Sequence, residues 1–155
     1  MESTQLQKLE TKVIMKASAE QFYDILCNKT HQIPSIFPDN LLSVQIHKGQ
    51  WGTEGSIISW NYLHEGKVTE VKEMLEDIDK ENNKISFKVM EGELLKHYKS
   101  FKIIIQATPK ENGSIVHCVF QYQKQKHDIP DPHAILQITV EMSKKINEYL
   151  THHHN

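Results

Sequence analysis

Twenty carboxylates and ten histidines make proton transfer the first chemistry to weigh in this chain. His64, His97, His117 and Glu91 each fall on or beside a strand-like run, where an inward side chain loses water and its pKa moves toward neutrality. Such groups could serve a cofactor-free isomerase or lyase. The competing reading for each is a solvent-facing histidine or a turn carboxylate. Nucleophile and metal chemistry find less support. Cys27 and Cys118 lie far apart, match no metal or redox spacing and are flanked by apolar residues, as buried reduced thiols are. The histidines are scattered, apart from the run His152-His153-His154, which binds metal adventitiously like any His-rich tail or was added for purification. No Gly-x-Ser-x-Gly elbow occurs. Gly49, Gly52 and Gly55 sit close together, but phosphate cradles join a strand to a helix and usually carry a lysine. This loop joins two strand-like runs and has none inside it, so it reads as a hairpin loop with a bulge. No metal and no nucleotide cofactor is expected.

These groups must be held by one domain, residues 1–155. A chain of 155 residues buries roughly 70% of its unfolded surface, enough for a self-supporting core. Its 18 Lys+Arg against 20 Asp+Glu give a net charge of −2, which offers no basic field for a nucleic acid. No apolar run approaches the roughly 18 residues of a membrane span, and Met1-Glu2-Ser3-Thr4-Gln5 lacks the features of a secretory signal. A cytosolic protein, a monomer or weak dimer, is expected.

Hydrophobic periodicity supplies the scaffold. Leu9 to Lys16 reads as a strand, and Ser18 with Gln21 forms a capping-box signature before the apolar face of Phe22, Tyr23, Ile25 and Leu26. Pro34 and Pro38 bracket a second short helical segment. Strands are then expected over Leu41–His47, Ser56–Leu63, Lys67–Ile78, Lys84–Met90, Phe101–Gln106 and Ser114–Lys124, with turns at Glu65-Gly66, near Asn82, at Glu91-Gly92-Glu93 and at Asn112-Gly113. Asp131 reads as an N-cap and Pro132 as the first residue of a helix reaching about Leu150. Ile135, Ile138, Met142, Ile146 and Tyr149 lay one apolar stripe along it. Consecutive antiparallel strands and one long terminal helix predict an α+β fold, a curved seven-stranded sheet wrapped around the helix, with two short helices between strands 1 and 2.

Four stretches occur in order at telling separations: Gly49-Gln50-Trp51-Gly52-Thr53-Glu54-Gly55; Trp60-Asn61-Tyr62 with Glu65-Gly66-Lys67; Glu91-Gly92 through Lys99-Ser100-Phe101-Lys102; and Asp128-Ile129-Pro130-Asp131-Pro132-His133. In these the chain resembles the plant major latex protein and ripening-related branch of the birch pollen major allergen family, the pathogenesis-related class 10 proteins. The resemblance covers nearly the whole chain. It implies a helix-grip fold and a large internal cavity that takes apolar small molecules such as sterols, flavonoids or hormones, in defence, stress or ripening. In a few branches it implies alkaloid chemistry, but the catalytic lysine of the norcoclaurine-forming branch has no motif match here.

On this basis the expected function is carriage of a small hydrophobic or amphipathic metabolite. The expected pocket wall is Tyr23, Phe37, Ile58, Trp60, Phe87, Val89, Phe101, Ile103, Phe120, Ile135, Ile138 and Met142, although strand alternation cannot separate cavity wall from packed core. A cofactor-free enzyme using His64, His97, His117 or Glu91 is the alternative.

Overall fold

The computed structural model of the chain describes residues 5–153. Met1 to Thr4 of the N-terminal stretch, and His154 of the histidine run, lie outside the described residues. The elements follow in the order β1 (Gln7–Met15), α1 (Ala19–Asn28), a 3-10 turn (Thr30–Gln32), α2 (Ile33–Ile36), β2 (Leu41–Lys48), β3 (Ile57–His64), β4 (Lys67–Asp79), β5 (Lys84–Gly92), a second 3-10 turn (Glu93–Lys96), β6 (Tyr98–Lys110), β7 (Gly113–Lys124) and α3 (His133–His153). The strands form one sheet in the order β1-β7-β6-β5-β4-β3-β2, and every pairing is antiparallel. No helix among the described residues is long and apolar enough to cross a membrane.

Local chemistry explains the boundaries. The Ser18 hydroxyl accepts from the Gln21 backbone N–H at 3.1 Å and the Gln21 side chain accepts from the Ser18 N–H at 3.3 Å, so α1 starts on a complete capping box. The helix α3 starts later than Asp131 and Pro132 predict. Its first i to i+4 bond runs from the Leu136 N–H to the Pro132 carbonyl at 3.1 Å. The Asp131 carboxylate is engaged elsewhere: it accepts from the Tyr122 hydroxyl at 2.8 Å and pairs with the Lys124 ammonium at 3.1 Å. A tether from β7 therefore replaces a cap. At its far end α3 is tied to the β1–α1 junction, where the Asn147 side-chain Oδ1 accepts from Lys16 N at 3.0 Å and Ala17 N at 2.9 Å.

The sheet grips α3 unevenly. Tyr98, Phe101, Phe120 and Tyr122 are buried and meet in edge-on and stacked contacts, with centroids 5.2 to 5.9 Å apart. That geometry fills space and adds about 1 kcal/mol per pair beyond area burial. On the helix, Leu136, Thr139, Met142, Ser143, Ile146 and Leu150 are buried while Ile135, Ile138 and Tyr149 are half-buried. The buried face thus includes Leu136, Thr139, Ser143 and Leu150 beside the expected Met142 and Ile146.

The hairpin at Glu91-Gly92-Glu93 differs from a tight bend. Pairing of β5 with β6 runs from Lys84↔Gln106 to Lys88↔Lys102 and stops there. Beyond it β5 keeps company only with β4, where Val71 faces Gly92. A Cβ at Gly92 would sit 2.5 Å from the Glu70 carbonyl oxygen, and its φ is +130°, so only glycine allows this approach. The two strands splay, and the 3-10 turn bridges them with Leu94 buried beneath it.

Candidate ligand-binding site

An inner void of about 90 Å³ lies under α3 where β3 to β6 pass beneath it. It is lined by Leu26, Leu41, Trp60, Tyr62, Val71, Glu73, Phe87, Leu94, Ile103, Ile105, Ile135, Ile138, Thr139 and Met142. The large cavity that the resemblance implies is therefore a small one here. It falls below the roughly 150 Å³ of an apolar cavity that admits benzene. Outside it, an open groove of about 1010 Å³ is framed by the β3–β4 turn, the 3-10 turn after β5 and the start of α3. Tyr62, Leu94 and Ile135 line both spaces, so the two adjoin, with the groove on the solvent side as the mouth of the candidate site. The mouth opens where β5 and β6 part.

Of the twelve expected wall residues, Trp60, Phe87, Ile103, Ile135, Ile138 and Met142 line the void. Tyr23, Phe37, Ile58, Val89, Phe101 and Phe120 are buried core away from it. Phe101 and Phe120 are held by their aromatic contact with each other at 5.2 Å. Gly49, Gly52 and Gly55 all have positive φ and lie in the β2–β3 loop, clear of both void and groove. The loop folds back on the 3-10 turn after α1, where the Trp51 ring meets His31 at 5.6 Å.

The titratable candidates separate in the same way. His64 and His97 line the mouth beside Glu65 at 3.9 Å and Glu93 at 4.0 Å. His117 lies on the outer face of β7, 2.7 Å from Glu10 of β1. Glu91 is 70% exposed and points to Lys72 at 3.9 Å. None of the four lines the void.

The void holds a different acid. Glu73 lies between Val71 and Leu75 on the inward face of β4, is 6% exposed and forms part of the wall. It stands opposite Ile58 of β3 and Val89 of β5. Loss of water pushes its pKa up from 4.5 to about 7, opposed only by a hydrogen bond from the Trp60 side chain. Trp60 pairs with Val71, next along the same face, which makes its indole N–H a diagonal neighbour of the carboxyl. Tyr62 adds a phenol to the wall. Burial, then the charges of Glu73 and Glu93, push its phenol up to about 12, so it stays a neutral hydroxyl. The sequence carried a signal for Glu73: a residue two before Leu75 and two after Val71 shares their face.

The wall is thus aliphatic and aromatic, with one carboxyl, one phenol, one indole N–H and the Thr139 hydroxyl, which donates to the Ile135 carbonyl at 3.1 Å, as its polar groups. Comparison with known proteins agrees with this architecture. The pathogenesis-related protein Bet v 1 family matches residues 4–153. MLP-like protein 34 of Arabidopsis thaliana is 47% identical over 92% of this chain, and the chain spans 46% of that relative's length. The crystal structure of ginseng major latex-like protein 151 from Panax ginseng superposes with a TM-score of 0.90 at 27% identity, covering 97% of this chain and 99% of that one. Norcoclaurine synthase from Thalictrum flavum, in complex with dopamine and hydroxybenzaldehyde, shares the fold with a TM-score of 0.83 at 16% identity, over 99% of this chain and 91% of that one. The four quoted stretches, the seven-stranded sheet gripping α3 and these matches together place the chain in the Bet v 1 family, with major latex proteins among its relatives.

Proposed function

We propose that the protein binds a small amphipathic molecule that enters end-on from the mouth, its slender inner end in the void and its body in the groove. One observation carries this reading: the apolar void and the larger open groove share Tyr62, Leu94 and Ile135 as common walls. Neither space alone would serve. A ligand of ordinary size needs roughly 300 to 1,000 Å³, more than the inner void offers, while the groove alone is open to water and sets Glu65, Lys67, Glu70, Glu93 and Lys96 beside its apolar residues. Carriage of such a molecule follows if nothing happens to it once bound.

Uptake of N-phenylnaphthylamine, a neutral apolar dye that brightens out of water, tests the reading. Met142 is buried, lines the void from α3 and carries a flexible thioether. Met142→Trp should fill the void and lower dye affinity at least about tenfold, the loss of roughly 1.4 kcal/mol of burial, with circular dichroism unchanged. Unchanged affinity in that folded variant removes the void from the site.

A second reading, a cofactor-free isomerase or lyase, draws on Glu73. A carboxyl titrating near neutrality in the same wall as a neutral phenol is a general base of suitable strength. Turnover of a bound ligand that Glu73→Gln abolishes would favour this reading over carriage.

A further inference from the structure

We propose that Glu73 is the specificity-determining residue of the site, selecting ligands whose inner end is a protonated amine over neutral or anionic ligands of the same shape. This rests on the binding site proposed above. The inference comes from what surrounds the carboxyl. Glu73 is more than nine-tenths buried and part of the void wall. No lysine, arginine or histidine lines that wall, and none of the ion pairs given by the structure for the described residues includes Glu73. From β3 the groups beside it are Ile58, Trp60 and Tyr62, of which only Tyr62 titrates. From β5 it faces Val89, and α3, α1, β2 and β6 place no charged group in the wall.

A buried acid without a cation is incomplete. Burial of an ionised carboxylate costs several kcal/mol unless a partner comes with it, and the indole N–H of Trp60 supplies one neutral donor. A carboxylate accepts more than one hydrogen bond, so acceptor capacity is left on the side facing the void. The fold has already taken this group out of water. An arriving ammonium therefore bears only its own dehydration and gains a charge-assisted hydrogen bond in an apolar surrounding. An alcohol gains a neutral bond, and a carboxylate meets like charge. Dimensions agree: a void of about 90 Å³ seats a short alkylammonium end, while an aromatic body rests in the mouth against Tyr62, Leu94 and Ile135.

Burial also makes the preference depend on pH. The Glu73 carboxyl titrates at about 7, so it is charged at pH 8 and protonated at pH 5.5, whereas an alkylamine stays protonated at both.

Phenylbutylamine, phenylbutanol and phenylbutyrate share one body and differ at the end, and each can displace N-phenylnaphthylamine. At pH 8 the amine should displace the dye at roughly tenfold or more lower concentration than the alcohol, as a charge-assisted bond predicts, and the acid should be weakest. At pH 5.5 the gap between amine and alcohol should narrow to about twofold. Glu73→Gln, which keeps the shape, should lose the amine preference at both pH values, each displacement being referred to that variant's own dye affinity. Equal displacement by amine and alcohol at pH 8, or a preference that survives Glu73→Gln, overturns the assignment while leaving the site itself intact. Failure of the wild-type protein to take up dye overturns the site and this assignment with it. If Glu73→Gln does not fold, the wild-type ratio at the two pH values decides alone.

Discussion

Replacing Glu73 by glutamine should change how stability depends on pH, by an amount the structure sets. The folded protein holds the Glu73 proton with a pKa of about 7 against an ordinary 4.5, because burial penalises the charged form. That difference corresponds to about 3 kcal/mol. Below pH 4.5 both folded and unfolded chains carry the proton, and the stabilising preference is fully present. Between 4.5 and 7 the folded chain keeps a proton that the unfolded chain has released, so stability falls by about 1.4 kcal/mol per pH unit. Above 7 both are ionised and the contribution is lost. Glutamine has no proton to lose, so subtracting the variant's stability from the wild type's isolates this group and cancels the histidines. In urea titrations with a slope near 2 kcal/mol/M, the wild-type midpoint should drop by about 1.5 M relative to the variant between pH 4.5 and pH 8. Parallel midpoints across that range would refute both the burial argument and the assignment of an ionisable wall to the void.

Two further outcomes follow from geometry away from the void. Gly52→Val should cost roughly 1 to 3 kcal/mol, because Gly52 sits at φ +72° and a Cβ there runs into the Asn28 side-chain oxygen; Gly66→Ala, at φ +79° with nothing within 4 Å of its Cβ, should cost only the backbone strain, about 1 kcal/mol, and equal melting losses would remove the Asn28 contact from the account. Asp131→Ala strands Lys124, whose side chain is 10% exposed, and should cost about 2 kcal/mol, less than a fully buried pair because Asp131 is itself half in solvent. Hydrogen bonds from Tyr122 and Lys124 hold the Asp131 carboxyl below its ordinary range, so this stabilisation is present above the unfolded pKa and lost as pH falls through the folded one. Adding Lys124→Met to Asp131→Ala should restore most of the loss in chemical denaturation, and no recovery would show that the tether acts through Tyr122 instead.

The sheet was legible in the sequence because alternation reports faces. Val116, Cys118, Phe120 and Tyr122 share the inward side of β7, and by the same period His117 must face out, as it does. Applied to β4, the rule puts Glu73 inside with Val71 and Leu75, but attention to histidines and turn carboxylates passes over it. Ser18 and Gln21 spelled out the start of α1, since a capping box is local chemistry. Asp131 misled at α3 because its partners, Tyr122 and Lys124, come from β7 and the contact is tertiary. The void was not legible. Phe101 and Ile103 both face inward on β6, yet one is packed against Phe120 and the other lines open space. That distinction depends on where β5 and β6 part, and the departure at Lys88↔Lys102 is set by Gly92 against β4 and by the 3-10 turn, not by any residue's hydrophobicity.

Why the space lies where it does follows from the same departure. On the β6–β7 side of α3, four aromatic rings meet one another within 6 Å and fill the concavity. On the β3–β5 side the wall offers Trp60 and Phe87 with shorter aliphatic residues, and α3 presents Ile135, Ile138, Thr139 and Met142, none of them aromatic. A void there forgoes dispersion contacts along its lining, and a buried acid adds its own cost. A leucine at position 73 would remove that desolvation cost. Keeping a carboxyl against an otherwise apolar wall makes sense if something else completes it, and a guest that brings its own donor does so each time it enters. Carriage and catalysis then differ in a single respect, whether Glu73 only accepts that hydrogen bond or also removes a proton from the guest.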